Sequence, residues 1–364
     1  MNSCSSDISV AQHDSGDGAE ADGFRFRSLR PQADLPGICQ LFETVFHQPM
    51  DPSYWRWKYA QAPVGGSFNV VVEHIATGRL VGHMGVIVVP GMRAGEVLRM
   101  GQVCDVMLHP DVRAGIGPNS IYQRMNNALR QLAHAPSQEP RPPLFMYGFP
   151  GLRPAKLGER IGVYRPLQIC TEYHSATAPQ SAWAAFWRRH SPWRLRAQAL
   201  PASADAWSDA LLDALWQRHC ERLAAQPEED AVPRITKNAA YLRWRYLVHP
   251  QQVPAGEGGA PRYTLWLLRR YGQTPLGWLV TREQPQPVVV DRCLPPGPAW
   301  ASAALQALPP PGPAVAPAPG WISWLPHAQA TAMQTPIHAV EVLGQPFHPH
   351  WPSPHFQPGD TDVF

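Results

Sequence analysis

The feature that most constrains the fold is a tryptophan-rich hexapeptide that occurs twice, as YWRWKY at 54–59 and as YLRWRY at 241–246. The elements predicted around the two copies follow the same order. An amphipathic helix precedes each hexapeptide, and a hairpin and a further strand follow it. A shared word of six residues can arise by chance, but a shared order of flanking elements indicates an internal duplication. We therefore expect two related units.

Hydrophobic periodicity predicts the elements of each unit. In the first unit the order is strand, helix, helix, three strands, helix, strand and helix. Its main ranges are a strand at 24–30, a helix at 34–46, a hairpin at 68–90, a strand at 100–110, a helix at 117–133 and a strand at 143–151. The second unit repeats the start of this order, with a helix at 208–223, a hairpin at 263–283 and a strand at 287–294.

These elements give a division of the chain. The predicted parts are a flexible tail at 1–22, a first unit at 23–167, a linker at 168–206 with a bridging helix at 183–196, and a second unit at 207–364. The proline-rich stretch 294–320 is predicted to be mostly loop with a short helix in its middle. Trp57 and Trp244, one in each hexapeptide, are interpreted as packing anchors.

The composition limits the classes of protein that the chain can be. The 364 residues carry a formal net charge of +3, and their basic residues are scattered, so we expect no nucleic-acid partner. The N-terminal segment lacks the basic and apolar regions of a secretion signal, and no run of about 18 apolar residues follows. The sequence therefore predicts a cytoplasmic protein with no membrane partner. Its oligomeric state is left open.

Neither the cysteines nor the histidines predict a metal site. The six cysteines are dispersed with no CxxC pair, which argues against a zinc site and a disulfide framework. Prolines separate His348, His350 and His355 and prevent a regular ligand face. We expect no metal.

The segment DVMLHPDVRAGIGPNS at 105–120 has the pattern of an anion site. A strand ends, a short loop with Gly115 and Gly117 follows, and a helix begins with Pro118 in its first turn. Backbone N–H groups at a helix N-terminus are unpaired and carry partial positive charge, so a phosphate is the group that fits there. Glycine lets an anion approach the backbone, and Arg113 can add charge-assisted hydrogen bonds.

Residues 24–167, which include this loop, resemble the GNAT superfamily of acyl-CoA-dependent N-acyltransferases. The resemblance is carried by the strand CDVMLHP, the loop RAGIG, the helix after it, and the segments LFMYGFP and LGERIGV. It implies an α/β fold of two GNAT-like domains, each a mixed, mostly antiparallel sheet flanked by helices. The second unit resembles a degenerate copy, because DRCLPPGP stands where its phosphate loop is expected. Only the first unit is expected to bind cofactor.

The resemblance also implies where acetyl-CoA, or another acyl-CoA, would bind as co-substrate. The pantetheine arm would pair like an extra strand with Val106, Met107 and Leu108, and the pyrophosphate would lie on the amides of 113–117. The cofactor-binding residues expected on this basis are Val106, Met107, Leu108, Arg113, Ala114, Gly115, Ile116, Gly117, Asn119 and Ser120.

The catalytic side chains do not carry over from the family. Many members have a tyrosine as general acid four residues before the glycine that matches Gly162, and here Gly158 occupies that place. Acyl transfer to an amine needs a base for the amine proton, a donor for the thioester oxyanion and an acid for the departing thiolate. A backbone N–H near the end of strand 103–108 could be that donor. The candidates for the base are Asp105, His109 and Glu73, and those for the acid are Tyr147 and Tyr164.

The sequence therefore predicts an acyl-CoA-dependent N-acyltransferase. The expected reaction is N-acetylation of a primary amine on a small molecule or sugar. Two alternatives remain open, a catalytically silent acyl-CoA sensor and an aminoacyl transferase that acts on cell-envelope precursors.

Overall fold

The computed structural model describes most of the chain. The described residues are 19–63, 66–113, 117, 119–135, 141–175, 194–253, 259–270, 272–282, 287–309, 321–324, 326, 330–342 and 351–361. The strands are β1 Ala19–Ala21, β2 Phe24–Ser28, β3 Phe68–His74, β4 Arg79–Arg93, β5 Glu96–Leu108, β6 Leu144–Gly148, β7 Tyr164–Ser175, β8 Arg196–Leu200, β9 Arg234–Ile235, β10 Thr264–Arg269, β11 Gly277–Arg282, β12 Val288–Cys293, β13 Ile322–Ser323 and β14 Ala330–Val342. The α-helices are α1 Pro31–Phe46, α2 Pro52–Trp55, α3 Ile121–Ala133, α4 Leu152–Arg160, α5 Asp209–Ala224, α6 Pro227–Asp230, α7 Ala239–Leu242 and α8 Pro298–Ala307.

The predicted α/β class is confirmed, but both halves of the chain contribute to one sheet. The strand order is β1-β2-β3-β4-β5-β6-β14-β7-β13-β12-β11-β10-β8, with β9 paired to β4. The pairs β5–β6 and β12–β13 are parallel, and the other pairs are antiparallel. The C-terminal strand β14 lies between β6 and β7, so the halves exchange strands at the centre of the sheet. A separate sheet for each half was wrong for this reason.

Apart from the edge strand β1, the sheet has the same arrangement of strands on either side of its central pair. Outward from the central pair β14–β7, the first half places β6, β5, β4, β3 and β2, and the second half places β13, β12, β11, β10 and β8. The strand β8 was assigned to the linker from sequence, whereas in the structure it pairs with β10. Of the predicted bridging helix at 183–196, all but the last three residues lie outside the described part of the chain.

The two hexapeptides meet where the halves contact each other. Each leads from a short helix into a π-helical turn, at Arg56–Ala60 and Arg243–Leu247. The rings of Trp57 and Trp244 stack with centroids 5.3 Å apart and planes at 18°. The indole N–H of Trp57 donates to the Trp244 carbonyl at 2.7 Å, and that of Trp244 donates to the Trp57 carbonyl at 2.9 Å. The prediction that both tryptophans are packing anchors is confirmed.

The core has one part that both halves share and two outer parts. Side chains alternate across the sheet, so Val71 of β3 joins the shared core with α1 and both hexapeptides, whereas Val70 and Val72 pack beneath α3. The second half has a smaller outer core beneath α8. None of the described helices combines the length and apolarity that crossing a membrane requires.

Two predicted boundaries differ from the structure. The expected flexible tail includes Ala19–Ala21, which pair with β2 through a turn at Asp22 and Gly23, both with positive φ. Residues 1–18 lie outside the described part. Helix α3 begins at Ile121 rather than near 118, because the Ser120 hydroxyl accepts from Gln123 N–H at 3.2 Å and caps the helix.

Candidate active site

The centre of the candidate site is the place where β5 and β6 stop pairing. The two strands run in parallel from Arg99↔Leu144 to Val103↔Gly148. Beyond this pair β6 turns into α4, while β5 continues to Leu108 with only β4 as its partner among the described strands. Among the described residues, the edge of β5 from Val106 to Leu108 has no strand partner, and such an edge can accept a group that pairs like a strand.

A β-bulge lies at the same place on β5. Between the pairs Gly85↔Cys104 and His83↔Met107, the single residue Met84 of β4 opposes Asp105 and Val106 of β5. Asp105 in this bulge has φ +48°, in the left-handed region that non-glycine residues seldom occupy. Bulges re-aim side chains and end strand pairing, which is the combination found here.

Four buried polar side chains hold the bulge. The Asp105 carboxylate accepts from Lys58 Nζ at 2.8 Å and from the Tyr59 hydroxyl at 2.6 Å. His83 Nδ1 donates to the Asp105 carbonyl at 2.8 Å. Lys58 and Asp105 are almost fully buried, with 2% and 8% of their side chains exposed.

The charges in this network are fixed by burial and by pairing. Burial alone would raise the pKa of Asp105, but the Lys58 ammonium and the hydrogen bonds from Lys58 and Tyr59 outweigh it, so this pKa lies below its ordinary value. Burial and the neighbouring carboxylate raise the pKa of Tyr59 well above its ordinary value. Burial lowers the pKa of His83, which favours the neutral ring. Asp105 is thus a stable anion and a weak base.

A glycine makes the approach of Tyr59 possible. A Cβ on Gly85 of β4 would lie 2.6 Å from Asn69 Oδ1 and would also overlap the Tyr59 hydroxyl. Sequence reasoning singled out Asp105 but missed Lys58, Tyr59 and Gly85. The available signal was the repeated hexapeptide, since it contains both Lys58 and Tyr59.

A pair of tyrosines lies on the α3 side of the sheet. Tyr164, the first residue of β7, accepts a hydrogen bond from the Tyr122 hydroxyl of α3 at 2.9 Å. A Cβ on Gly158 of α4 would overlap the Tyr164 ring, so that ring occupies the space a side chain at 158 would take. Burial, followed by the effect of Tyr122, raises the pKa of Tyr164 well above its ordinary value. Tyr122 was missed because nothing in its local pattern sets it apart from other helix residues.

The other predicted catalytic residues have different surroundings. Glu73 lies on β3, two strands from β5, and accepts from Arg27 Nε at 2.8 Å. Tyr147 of β6 is buried in the shared core, with its ring 4.9 Å from that of Phe356. Of the five candidates, Asp105 lies two residues beyond the last β5–β6 pair and Tyr147 lies in the pair before it, with its side chain buried.

His109 lies at the far end of β5. Its Nδ1 accepts from Asp111 N–H at 3.3 Å, and its side chain lines a cavity of about 290 Å³ between α1 and the β3–β4 turn. His109 therefore caps the short turn that follows β5.

The predicted phosphate loop is described only in part. Ala114, Gly115, Ile116 and Pro118 lie outside the described residues. Arg113 folds back, with its Nε donating to the Leu108 carbonyl at 2.8 Å. A Cβ on Gly117 would meet no described atom within 4 Å, and the Gly117 carbonyl accepts from Ser120 N–H at 3.0 Å. Asn119 is exposed and Ser120 half-buried at the start of α3. In the described part of the chain no group of three potential metal ligands comes together.

The second half carries a counterpart of the Asp105 network. Asp291 of β12 accepts from the Tyr246 hydroxyl at 2.8 Å and from Lys237 Nζ at 2.7 Å. A register shift next to Asp291 gives β12 a bulge as well. Tyr246 and Tyr59 hold the same position in the two hexapeptides. The tyrosine, the aspartate and the bulge therefore occur in both halves.

Comparisons with known proteins agree with this geometry. A model of the acetyltransferase (GNAT) domain matches residues 25–132. No curated protein matches the sequence significantly. A probable N-acyltransferase of unknown function from Enterococcus faecalis V583 is 12% identical, with a TM-score of 0.57 over 88% of this chain and 72% of its own.

Two further solved structures have a similar fold. The GCN5-related N-acetyltransferase from Anabaena variabilis ATCC 29413 is 12% identical, with a TM-score of 0.52 over 88% of this chain and 73% of its own. The GCN5-related N-acetyltransferase from Kribbella flavida is 13% identical, with a TM-score of 0.50 over 89% of this chain and 72% of its own. These likenesses concern the fold alone, whereas the domain model covers β2 to α3 and the bulge of β5. Residues 25–132 match the GNAT acetyltransferase domain, and the whole chain has a fold similar to those of the solved structures named here.

Proposed function

We propose that this protein is an acyl-CoA-dependent N-acyltransferase, with acetyl-CoA as donor and a primary amine of a small molecule or sugar as acceptor. The observation that carries the proposal is the separation of β5 from β6 after Val103↔Gly148, with β5 inside the residues that match the GNAT acetyltransferase domain. The edge of β5 at Val106–Leu108, which has no strand partner among the described residues, is the proposed place for the pantetheine arm. The start of α3 and its preceding loop are the proposed place for the pyrophosphate.

The direction in which the donor runs along β5 decides how close each candidate side chain lies to the thioester. If the arm runs from the loop after β5 towards the end of the β5–β6 pairing, the thioester lies near Cys104 and Val106. His109 then lies at the phosphate end, away from the reacting carbon. Asp105 lies near the thioester, and its lowered pKa makes it a positioning residue that fixes the bulge rather than the base.

Tyr164 is the proposed acid for the departing thiolate. In the transfer, the amine nitrogen bonds to the thioester carbon, the carbon–sulfur bond breaks, and the thiolate takes the proton of Tyr164. The proton that the amine nitrogen loses passes to solvent, from which the Tyr164 oxygen is reprotonated. Because Tyr122 donates to the Tyr164 oxygen, the hydroxyl hydrogen of Tyr164 is not used in that bond and can be given to sulfur. The ring of Tyr164 occupies the space that Gly158 leaves open, which supports this substitution for the family tyrosine.

The test is release of free CoA from acetyl-CoA by the purified protein with a panel of primary amines, with the acylated product identified by mass spectrometry. We expect turnover that Tyr164→Phe lowers by about 10²–10⁴-fold in kcat, the range for a general acid. The matched control is Tyr173→Phe on the same strand, where turnover should be unchanged.

Equal kcat in wild type and Tyr164→Phe would remove Tyr164 as the acid. A silent acyl-CoA sensor is the second candidate, and the glycine at position 158 favours it. Tight binding of acetyl-CoA without turnover over the whole amine panel would establish the sensor instead.

A further inference from the structure

The last described segment of the chain, 351–361, crosses from one half of the molecule to the other. Its start packs on the first half, where the ring of Trp351 stacks on Phe145 with centroids 5.9 Å apart at 15°. Further on, the ring of Phe356 lies 5.0 Å from that of Phe149, just past the end of β6. The segment therefore follows the shared-core side of the sheet.

The turn at Pro358–Asp360 then lies against β12 of the second half. A Cβ on Gly359 would be 2.8 Å from the Val290 carbonyl and would overlap the Tyr246 hydroxyl. Only a residue without a side chain fits this closely between the strand and the tyrosine. Gly359 therefore packs directly on the bulge of β12.

Buried charges hold the same turn. Lys237 Nζ lies 2.6 Å from Asp360 Oδ1 and 2.7 Å from Asp291 Oδ1. Arg245 Nε donates to the Gly359 carbonyl at 3.0 Å, and its Nη2 donates to the Thr361 carbonyl. Four side chains and two backbone carbonyls are therefore joined by buried contacts.

The charge balance explains why this turn carries an acid. In the first half, Lys58 and Asp105 neutralise each other. In the second half, Lys237 and Arg245 are both buried and Arg292 is close by, whereas Asp291 is the only carboxylate that β12 contributes. Glu229 also acts on Arg292, and Asp360 supplies a second carboxylate beside Lys237.

The location corresponds to the proposed donor edge of the first half. Pairing of β12 with β13 is limited to Val288↔Ile322, and β12 then continues to Cys293 beside β11, as β5 continues beside β4. We propose that this stretch of the second half is a groove for an acidic peptide turn, and that Phe356–Thr361 of the chain itself occupies it. Resting on the proposed function, this inference predicts that acyl-CoA binds at β5 and not at β12.

Amide hydrogen exchange of the full-length chain, with and without acetyl-CoA, tests the occupant. In wild type we expect slow exchange at 289–293 in both conditions, and slowing at 106–108 only when acetyl-CoA is added. In Asp360→Asn we expect exchange at 289–293 to rise at least tenfold. The amides of β3 serve as an internal reference for folding, and Glu228→Gln, an exposed acid in the same half, is the matched control. Gly359→Ala is a second variant that displaces the turn by size rather than by charge.

The outcomes separate the two proposals. If acetyl-CoA slows exchange at 289–293, or if calorimetry gives two acetyl-CoA sites per chain, the peptide groove is overturned. If exchange at 289–293 is the same in wild type, Asp360→Asn and Gly359→Ala while β3 stays protected, the groove is overturned as well. If acetyl-CoA slows no amide but both variants expose 289–293, the groove stands and the proposed transferase falls.

Discussion

At the scale of single residues, the ion pair Lys58–Asp105 has the largest structural role in the candidate site. Both side chains are buried, and their contact fixes the bulge that follows the last β5–β6 pair. Removal of one partner leaves the other charge buried without a counter-ion. The resulting loss of stability is larger than the net stabilisation that the intact pair provides.

We predict that Lys58→Met lowers the free energy of unfolding by about 3–5 kcal/mol, because the Asp105 carboxylate loses its buried counter-ion. Urea denaturation measures the change. The control is Arg79→Met, whose pair with Asp111 is 3.2 Å long with side chains 48% and 66% exposed. Exposed pairs contribute about 1 kcal/mol or less, so this control should change stability little.

The same pair gives a pH dependence. The folded-state pKa of Asp105 is below its ordinary value of about 4, so the stabilisation is complete above that pH and is lost as the pH falls through the folded pKa. Without Lys58, burial raises this pKa and the sign reverses, so the variant should gain relative stability on acidification. Parallel stability curves for wild type and Lys58→Met between pH 3 and 6 would contradict this reading.

Asp105 also shows what a sequence reveals about one residue. Asp105 was a candidate base because it lies on the strand before the predicted phosphate loop, and the structure places it near the centre of the site. Its partners come from a π-helical turn 46 and 47 positions earlier in the chain, and no local pattern joins positions so far apart. Burial and ion pairing, which set the pKa, depend on such distant contacts.

At the scale of elements, the two π-helical turns join the halves of the molecule. Each presents a tryptophan whose indole N–H satisfies the carbonyl of the other. A buried carbonyl left without a donor costs more than the net value of the bond.

Trp57→Phe should therefore lower the free energy of unfolding by about 1–3 kcal/mol, because the Trp244 carbonyl loses its donor. Trp55→Phe is the control. Trp55 is also buried, but in the described structure its indole nitrogen has no hydrogen-bond partner, so its replacement removes no bond. Equal losses for the two variants in urea denaturation would show that ring volume, and not the reciprocal hydrogen bonds, accounts for the effect.

The order of the elements along the chain could be predicted from the sequence, but the pairing of distant strands could not. Periodicity indicated the helix before each hexapeptide and the hairpin after it, because amphipathic spacing is local. It placed the start of α3 too early, since the cap depends on the Ser120 hydroxyl. It also gave no sign that β14 would enter between β6 and β7, because pairing between distant strands is set by the whole sheet.

At the scale of the molecule, one symmetric sheet supports two dissimilar halves. Both have a bulge with a buried Tyr–Asp contact, and in the described part of the chain the bulged strand β5 of the first half has an edge without a strand partner. In the second half the chain's own turn lies on the bulge. The expectation that only the first half binds cofactor stays a prediction, and this turn supplies a physical reason for it.

The central claim is that an acyl donor lies along β5 where β6 turns away. A crystal structure of the protein with acetyl-CoA measures this directly. We predict that the pantetheine amides pair with the backbone of Val106–Leu108, with the sulfur within hydrogen-bonding reach of the Tyr164 hydroxyl. A donor bound elsewhere on the molecule, with the β5 edge empty, would contradict the account.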